Sequence, residues 1–196
     1  MAFFQADFES TVAGNDGGGY LNPSKIPDGK SSRFLILSDE PLTGYELWFT
    51  TPEGKQTPRR TADEPDAALI AELESSIPAT LTVRDGKPSI KPFAAFFVYD
   101  YDTNAVRLFS ATQKKLLEDL YRKTCDPDFQ PINSWDVSIL RTGQLKDTKY
   151  SVDMKPTKAK GALLTEIQAA WSAAQTKGYS LEALLRNGSP FGAPAA

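Results

Sequence analysis

Histidine is missing from this chain, and cysteine occurs once, at Cys125. Without an imidazole there is no Ser-His-Asp triad, no Cys-His couple and no histidine general base. One thiol and no imidazole cannot build a thiolate or imidazole zinc site. A lone cysteine also forms no internal disulfide, which points to a reducing compartment, the cytoplasm (of a host cell, if the chain is phage-encoded). Nothing is present to activate Cys125, so it is expected to be a small buried or half-buried residue. Long apolar runs are missing as well. None approaches the roughly 20 residues of a membrane span, and Met1-Ala2-Phe3-Phe4-Gln5 lacks the basic and apolar parts of a secretory signal. Glycine motifs for dinucleotides or nucleoside triphosphates and the Asp-x-Asp-x-Asp-Gly calcium loop are not found. Gly17-Gly18-Gly19 sits in a polar lead segment with no strand before it. No cofactor and no metal is expected.

What is there is ordinary for a globular protein: 196 residues, 40% hydrophobic and 24% charged. The net charge of −3 disguises an uneven distribution. Residues 61–80 hold Asp63, Glu64, Asp66, Glu72 and Glu74 and no basic residue, whereas residues 81–160 hold fourteen Lys or Arg against ten Asp or Glu. A basic stripe of this kind can hold a polyanion on a chain that is acidic overall.

Pattern and punctuation divide the chain into a flexible arm over 1–19, a main domain over 20–155, helices over 156–187 and a disordered Gly/Pro/Ala-rich tail over 188–196. Apolar or alternating runs predict strands over 33–37, 45–50, 80–84, 93–101, 105–109, 135–141 and 147–153. Asp63 suits an N-cap, with Pro65 in the first turn and Leu69, Leu73 and Ile77 at helical spacing. Ser110 and Gln113 fit a capping box before Leu116, Leu117, Leu120 and Tyr121. Two more helices are predicted near 162–176 and 180–186, the second capped by Ser180. The fold class is mainly β with peripheral helices. A small barrel of the OB type, with one helix between strand pairs, fits this order; a two-layer α+β sheet is the alternative.

Several segments, in order, resemble the phage single-stranded DNA-binding proteins, an OB-fold family related to the helix-destabilising protein of T-even phages. They are Tyr20-Leu21-Asn22-Pro23-Ser24, residues 33–38, Thr43-Gly44-Tyr45-Glu46-Leu47-Trp48, residues 91–101, Ala111-Thr112-Gln113-Lys114, residues 135–139, Arg141-Thr142-Gly143 and residues 147–152. Together they span roughly 20–155. The resemblance implies a protein that coats single strands in DNA replication, recombination and repair, with replication proteins as partners and possible self-association along the DNA. Two features depart from it: the T-even zinc ligands have no counterpart, and residues 186–196 carry no acidic run.

Single-strand binding needs aromatic faces for bases and cations for phosphates. Trp48 lies between Glu46 and Thr50, opposite the apolar face of Tyr45, Leu47 and Phe49, and is the first candidate platform; the plain alternative is that it fills a core. Tyr45 accompanies it. Lys55, Arg59 and Arg60 follow across the Pro52-Glu53-Gly54 turn and would hold phosphates beside Trp48; a solvated surface doublet is the alternative. Lys91 leads into a strand with two stripes, Phe93, Ala95, Phe97, Tyr99 and Tyr101 on one face and Ala94, Phe96 and Val98 on the other. Parity does not say which lines a groove. A wet face suits tyrosine, which favours Phe93 and Tyr99 as groove residues. Arg141, Lys146, Lys149 and Tyr150 interleave cations with an aromatic on one hairpin. Trp135 and Trp171 are assigned to packing. The expected mechanism is a stoichiometric coat with little sequence preference, which melts duplexes by mass action.

Two rival readings stand beside this one. Asp100 with Asp102, or Asp126 with Asp128, could pair for two-metal nuclease chemistry, although aspartates are common in turns. Alternatively the aromatics anchor a protein partner, in an adaptor that binds no nucleic acid.

Overall fold

The structure is a computed structural model and describes residues 19–84 and 86–192. Most of the expected arm therefore lies outside the described residues, as do Asp85 and residues 193–196. The strands are β1 (Tyr20–Leu21), β2 (Ser31–Ile36), β3 (Leu42–Thr50), β4 (Gln56–Thr61), β5 (Thr80–Leu81), β6 (Val83–Arg84), β7 (Lys87–Pro88), β8 (Ile90–Asp100), β9 (Ala105–Ala111), β10 (Trp135–Thr142) and β11 (Lys149–Pro156). The α-helices are α1 (Ala67–Ser76), α2 (Lys114–Thr124) and α3 (Ala162–Thr176). The fold is mainly β with peripheral helices.

One long strand organises the sheet. β8 pairs with β9 along one edge, and its other edge takes β3 over its first half and β2 over its second. Between β2 and β3 the chain bends at Ser38-Asp39-Glu40-Pro41. There the Leu37 N–H donates to the Phe97 carbonyl (2.9 Å) and the Phe97 N–H donates to Ser38 Oγ (2.8 Å), so a hydroxyl continues the ladder through the bend. β10 joins β2, and β11 joins β10. The path runs β1-β9-β8-β2-β10-β11, with β4 and β5 on β3 and a separate β6–β7 ribbon. Among the described residues no ladder joins its two ends, so the sheet is open and the closed form of a small barrel is not reached.

Both faces of the sheet are covered, which is why β2 and β8 read as apolar runs and not as clean alternations. Phe34, Phe96, Val98, Phe109, Val137 and Ile139 form one core with Leu116 and Leu120 of α2. On the other face Leu35 and Tyr99 meet Ile167 of α3. Phe93, Ala95, Phe97 and Leu108 lie there under Leu184 and the Trp171 ring, whose centroid is 5.3 Å from that of Phe97. Helices on both faces are a different arrangement from a two-layer α+β sheet. Trp135 packs edge-on against Phe129 (5.1 Å), so the packing role expected of Trp135 and Trp171 is met.

The caps differ from expectation. Asp66, not Asp63, caps α1 by accepting the Leu69 N–H (2.8 Å), because Pro65 lies outside the helix and is buried. Ser110 stays in β9, where the ladder to Ala95 holds its backbone, and Gln113 occupies the cap of α2 without a side-chain bond to it. The expected helix over 180–186 is a 3₁₀ segment over Glu182–Arg186, and the Ser180 hydroxyl bonds to the Glu182 carboxylate (2.6 Å). Cys125 is exposed, not buried, since it follows the last turn of α2 at the surface. Residues 188–192 are ordered, contrary to the tail expected there. Phe191 packs edge-on between Tyr20 and Tyr179, and the Pro190 carbonyl accepts the Ser180 N–H (3.0 Å).

Candidate nucleic-acid interface

The β3–β4 hairpin carries the first group of candidates, and strand alternation divides them. Register pairs Glu46 with Arg60, Trp48 with Pro58 and Leu47 with Arg59. Directly opposed residues share a face, so Trp48, Glu46 and Arg60 stand on one side, and Arg59 stands on the other with Tyr45. The expected pairing of Trp48 with Arg59 in one trough is corrected by this register. Arg59 lies beside Leu47 on the face covered by Ile70 and Leu73 of α1 and by Ile77 just after it.

Trp48 is half-buried, and its indole N–H donates to Glu46 Oε1 (2.9 Å). Glu46 is 3% exposed, and its other oxygen accepts from Arg60 Nε (2.9 Å) and Nη2 (2.7 Å). The Arg60 guanidinium also lies 5.4 Å from the centre of the Phe93 ring. Arg60 is therefore spent on a buried carboxylate and an aromatic face, and is no free phosphate ligand. The carboxylate instead holds the edge of the Trp48 ring. Gly44 makes room for this arrangement, since a side chain there would run into the Thr61 carbonyl and crowd the Phe93 ring. Lys91 lies opposite Glu46 and thus diagonal to Trp48 on the same face; Lys55 is exposed at the hairpin turn.

Phe93 and Tyr99 are 2% and 5% exposed. Neither offers a face to a base, because α3 and the segment after it lie on that stripe; the other stripe fills the α2 core. The expectation that one stripe of β8 lines a groove is corrected accordingly.

The second group sits on β10–β11, and no ladder, ring contact or hydrogen bond among the described residues links it to β3–β4. Arg141 is a scaffold residue: its Nη1 donates to the Ile26 carbonyl (2.9 Å), and its own carbonyl accepts the Gly29 N–H (2.9 Å). Tyr150 stands opposite Arg141, half-buried against the α2 core. Lys146 and Lys149 are exposed beside the turn.

Of the aspartates considered for metal chemistry, Asp100 and Asp126 have their carboxylates engaged locally. Asp100 is buried and accepts from the Asp102 N–H (3.0 Å), the Thr103 hydroxyl (2.8 Å) and Arg107 (3.3 Å). Burial, with the Asp100 charge beside it, raises the Asp102 pKa. Asp126 accepts the Asp128 N–H (3.0 Å) in a local turn. Among the described residues no group of three or more acidic or sulfur ligands converges. No helix among them is long and apolar enough to cross a membrane.

Sequence reasoning passed over Glu46. Symmetry about the Pro52-Glu53-Gly54 turn would have found it, because a hairpin centred on Glu53 sets Glu46 against Arg60. It also passed over Leu145, 92% exposed at the β10–β11 turn. No family model, curated protein or solved structure matches the chain.

Proposed function

We propose that this protein binds single-stranded DNA without altering it covalently, in the cytoplasm and in support of DNA replication or recombination. The observation that carries the reading is Trp48: a half-buried indole on a polar sheet face, its edge fixed by a buried carboxylate, with Lys91 diagonal to it. A ring held this way gives a base a flat face at little conformational cost. Lys55, Lys91, Lys146 and Lys149 supply phosphate contacts; Arg59 and Arg60 do not contribute beside Trp48. The ordered resemblance to phage single-strand binders supports the same reading.

The test is anisotropy of labelled oligo-dT and of a duplex, at two salt concentrations, with the native protein and Trp48→Ala. Single strands should bind more tightly than duplex, and more weakly as salt rises. Trp48→Ala should cost about 1–3 kcal/mol of binding. Binding that is absent at low salt, or indifferent to Trp48→Ala, ends the proposal. A protein adaptor is the second reading, favoured by Tyr121, 72% exposed on α2, since aromatics of that kind anchor protein interfaces. It gains if oligo-dT does not bind.

A further inference from the structure

The β10–β11 turn holds a leucine where the fold by itself would select another residue. Leu145 has φ +51°, in the left-handed region, where glycine or asparagine costs least. Its side chain is almost wholly in solvent, so it gains nothing from burial. The turn around it is well tied. The Gly143 N–H donates to Asp28 Oδ1 (2.8 Å), and the Asp147 N–H donates to the Gln144 carbonyl (3.0 Å). Gly143 has φ +80°, and a side chain there would run into the Asp147 carbonyl. The leucine is thus presented by a braced support. Lys146 and Lys149 flank it in the exposed state, and Lys30 lies at the hairpin base, where its carbonyl accepts the Arg141 N–H (3.0 Å). The nearby acids are Asp147, which is exposed, and Asp28, which is engaged by Gly143.

We infer that Leu145 is a wedge that enters a base step at the junction between paired and unpaired DNA, while Lys146 and Lys149 hold the adjoining phosphates. The inference rests on the single-strand reading above and assigns to that reading a second contact with a distinct task. One apolar side chain is enough to part a base step. A lipid surface would ask for a wide apolar face, because binding there scales with the area buried. A protein partner would ask for a cluster of anchors. The turn offers one leucine and cations, which fits the nucleic acid.

The wedge predicts a split between binding and opening. Mass action alone melts a duplex in proportion to single-strand affinity; a wedge adds to the rate at which the junction opens. The experiment uses the full chain, labelled oligo-dT, and a DNA hairpin with 2-aminopurine at its terminal pair. Leu145→Ala and Leu145→Asn should bind oligo-dT within about twofold of the native protein, yet open the hairpin about fivefold or more slowly at saturation, with a smaller rise in 2-aminopurine fluorescence. Lys146→Ala with Lys149→Ala should weaken both. If the native protein binds oligo-dT and Leu145→Ala opens the hairpin at the native rate, the wedge is overturned and the single-strand reading stands. If the native protein does not bind oligo-dT, both fall. Co-sedimentation of the native protein, but not Leu145→Ala, with anionic vesicles would also overturn the assignment to DNA.

Discussion

Glu46 and Arg60 are bound to one another as a nearly buried pair, with side chains 4% and 15% exposed. Removing one partner leaves the other charge uncompensated in a poor solvent. Arg60→Ala is therefore expected to destabilise the fold by about 3–5 kcal/mol. Glu46→Leu combined with Arg60→Leu should cost less than Arg60→Ala alone, and thermal unfolding of the variants measures the difference. Leu145 behaves in the opposite way. Leu145→Asn places at φ +51° a residue that visits that region readily, and loses no buried contact. It should raise stability by about 0.5 kcal/mol, or about 1–2 °C in Tm. Both residues have signals in the sequence, a charge opposite another across a turn and a leucine beside Gly143, but neither signal carries its own burial. A charged residue between Tyr45 and Leu47 reads as surface until the ladder is known to bring Arg60 across from it.

At the level of elements, the end of β8 is fastened to β10 by one buried carboxylate. Asp136 accepts from Arg33 (2.8 Å), the Tyr101 hydroxyl (2.7 Å), the Thr157 hydroxyl (2.8 Å) and the Lys158 N–H (3.0 Å), so every lone-pair direction is used. Burial first, and the bond to Asp136 with it, pushes Tyr101 up to about 12 from 10.0. The folded state therefore holds the phenolic proton more tightly than the unfolded chain does. The stability this contributes is complete below pH 10 and is lost as pH rises from there to about 12. Tyr20 and Tyr99 are raised too, by burial, and act in the same direction. Tyr101→Phe should flatten part of the alkaline decline in a denaturant titration without abolishing it. The cap of α1 offers a smaller test: Asp66→Ala should cost about 0.5–2 kcal/mol. The sequence pattern points to Asp63 for that cap, with Pro65 in the first turn. Spacing and composition do not say on which side of Pro65 the helix begins.

For the whole molecule, the two basic groups must act on one strand if the proposal holds. The slope of log K against log salt should fall by about 0.7 for each phosphate contact removed. Lys146→Ala with Lys149→Ala should then lower it by about 1.4, and Arg59→Ala should leave it unchanged, because Arg59 stands on the other face of β3–β4. The C-terminal segment is structural in the same sense: Leu184 and Trp171 lie on Phe93, Ala95 and Phe97. Leu184→Ala should cost about 2–5 kcal/mol, measured by denaturant unfolding.

The sequence by itself determined the mainly β class, the positions of most strands and the lack of histidine chemistry, because period-two patterns, turn residues and composition are local properties. Only the tertiary structure decided that both stripes of β8 are buried, that Arg60 is spent on Glu46, that Arg59 and Trp48 part company and that residues 188–192 are held. Each of these depends on which distant segment comes to lie against a given face, and a residue's neighbours in the chain do not record that.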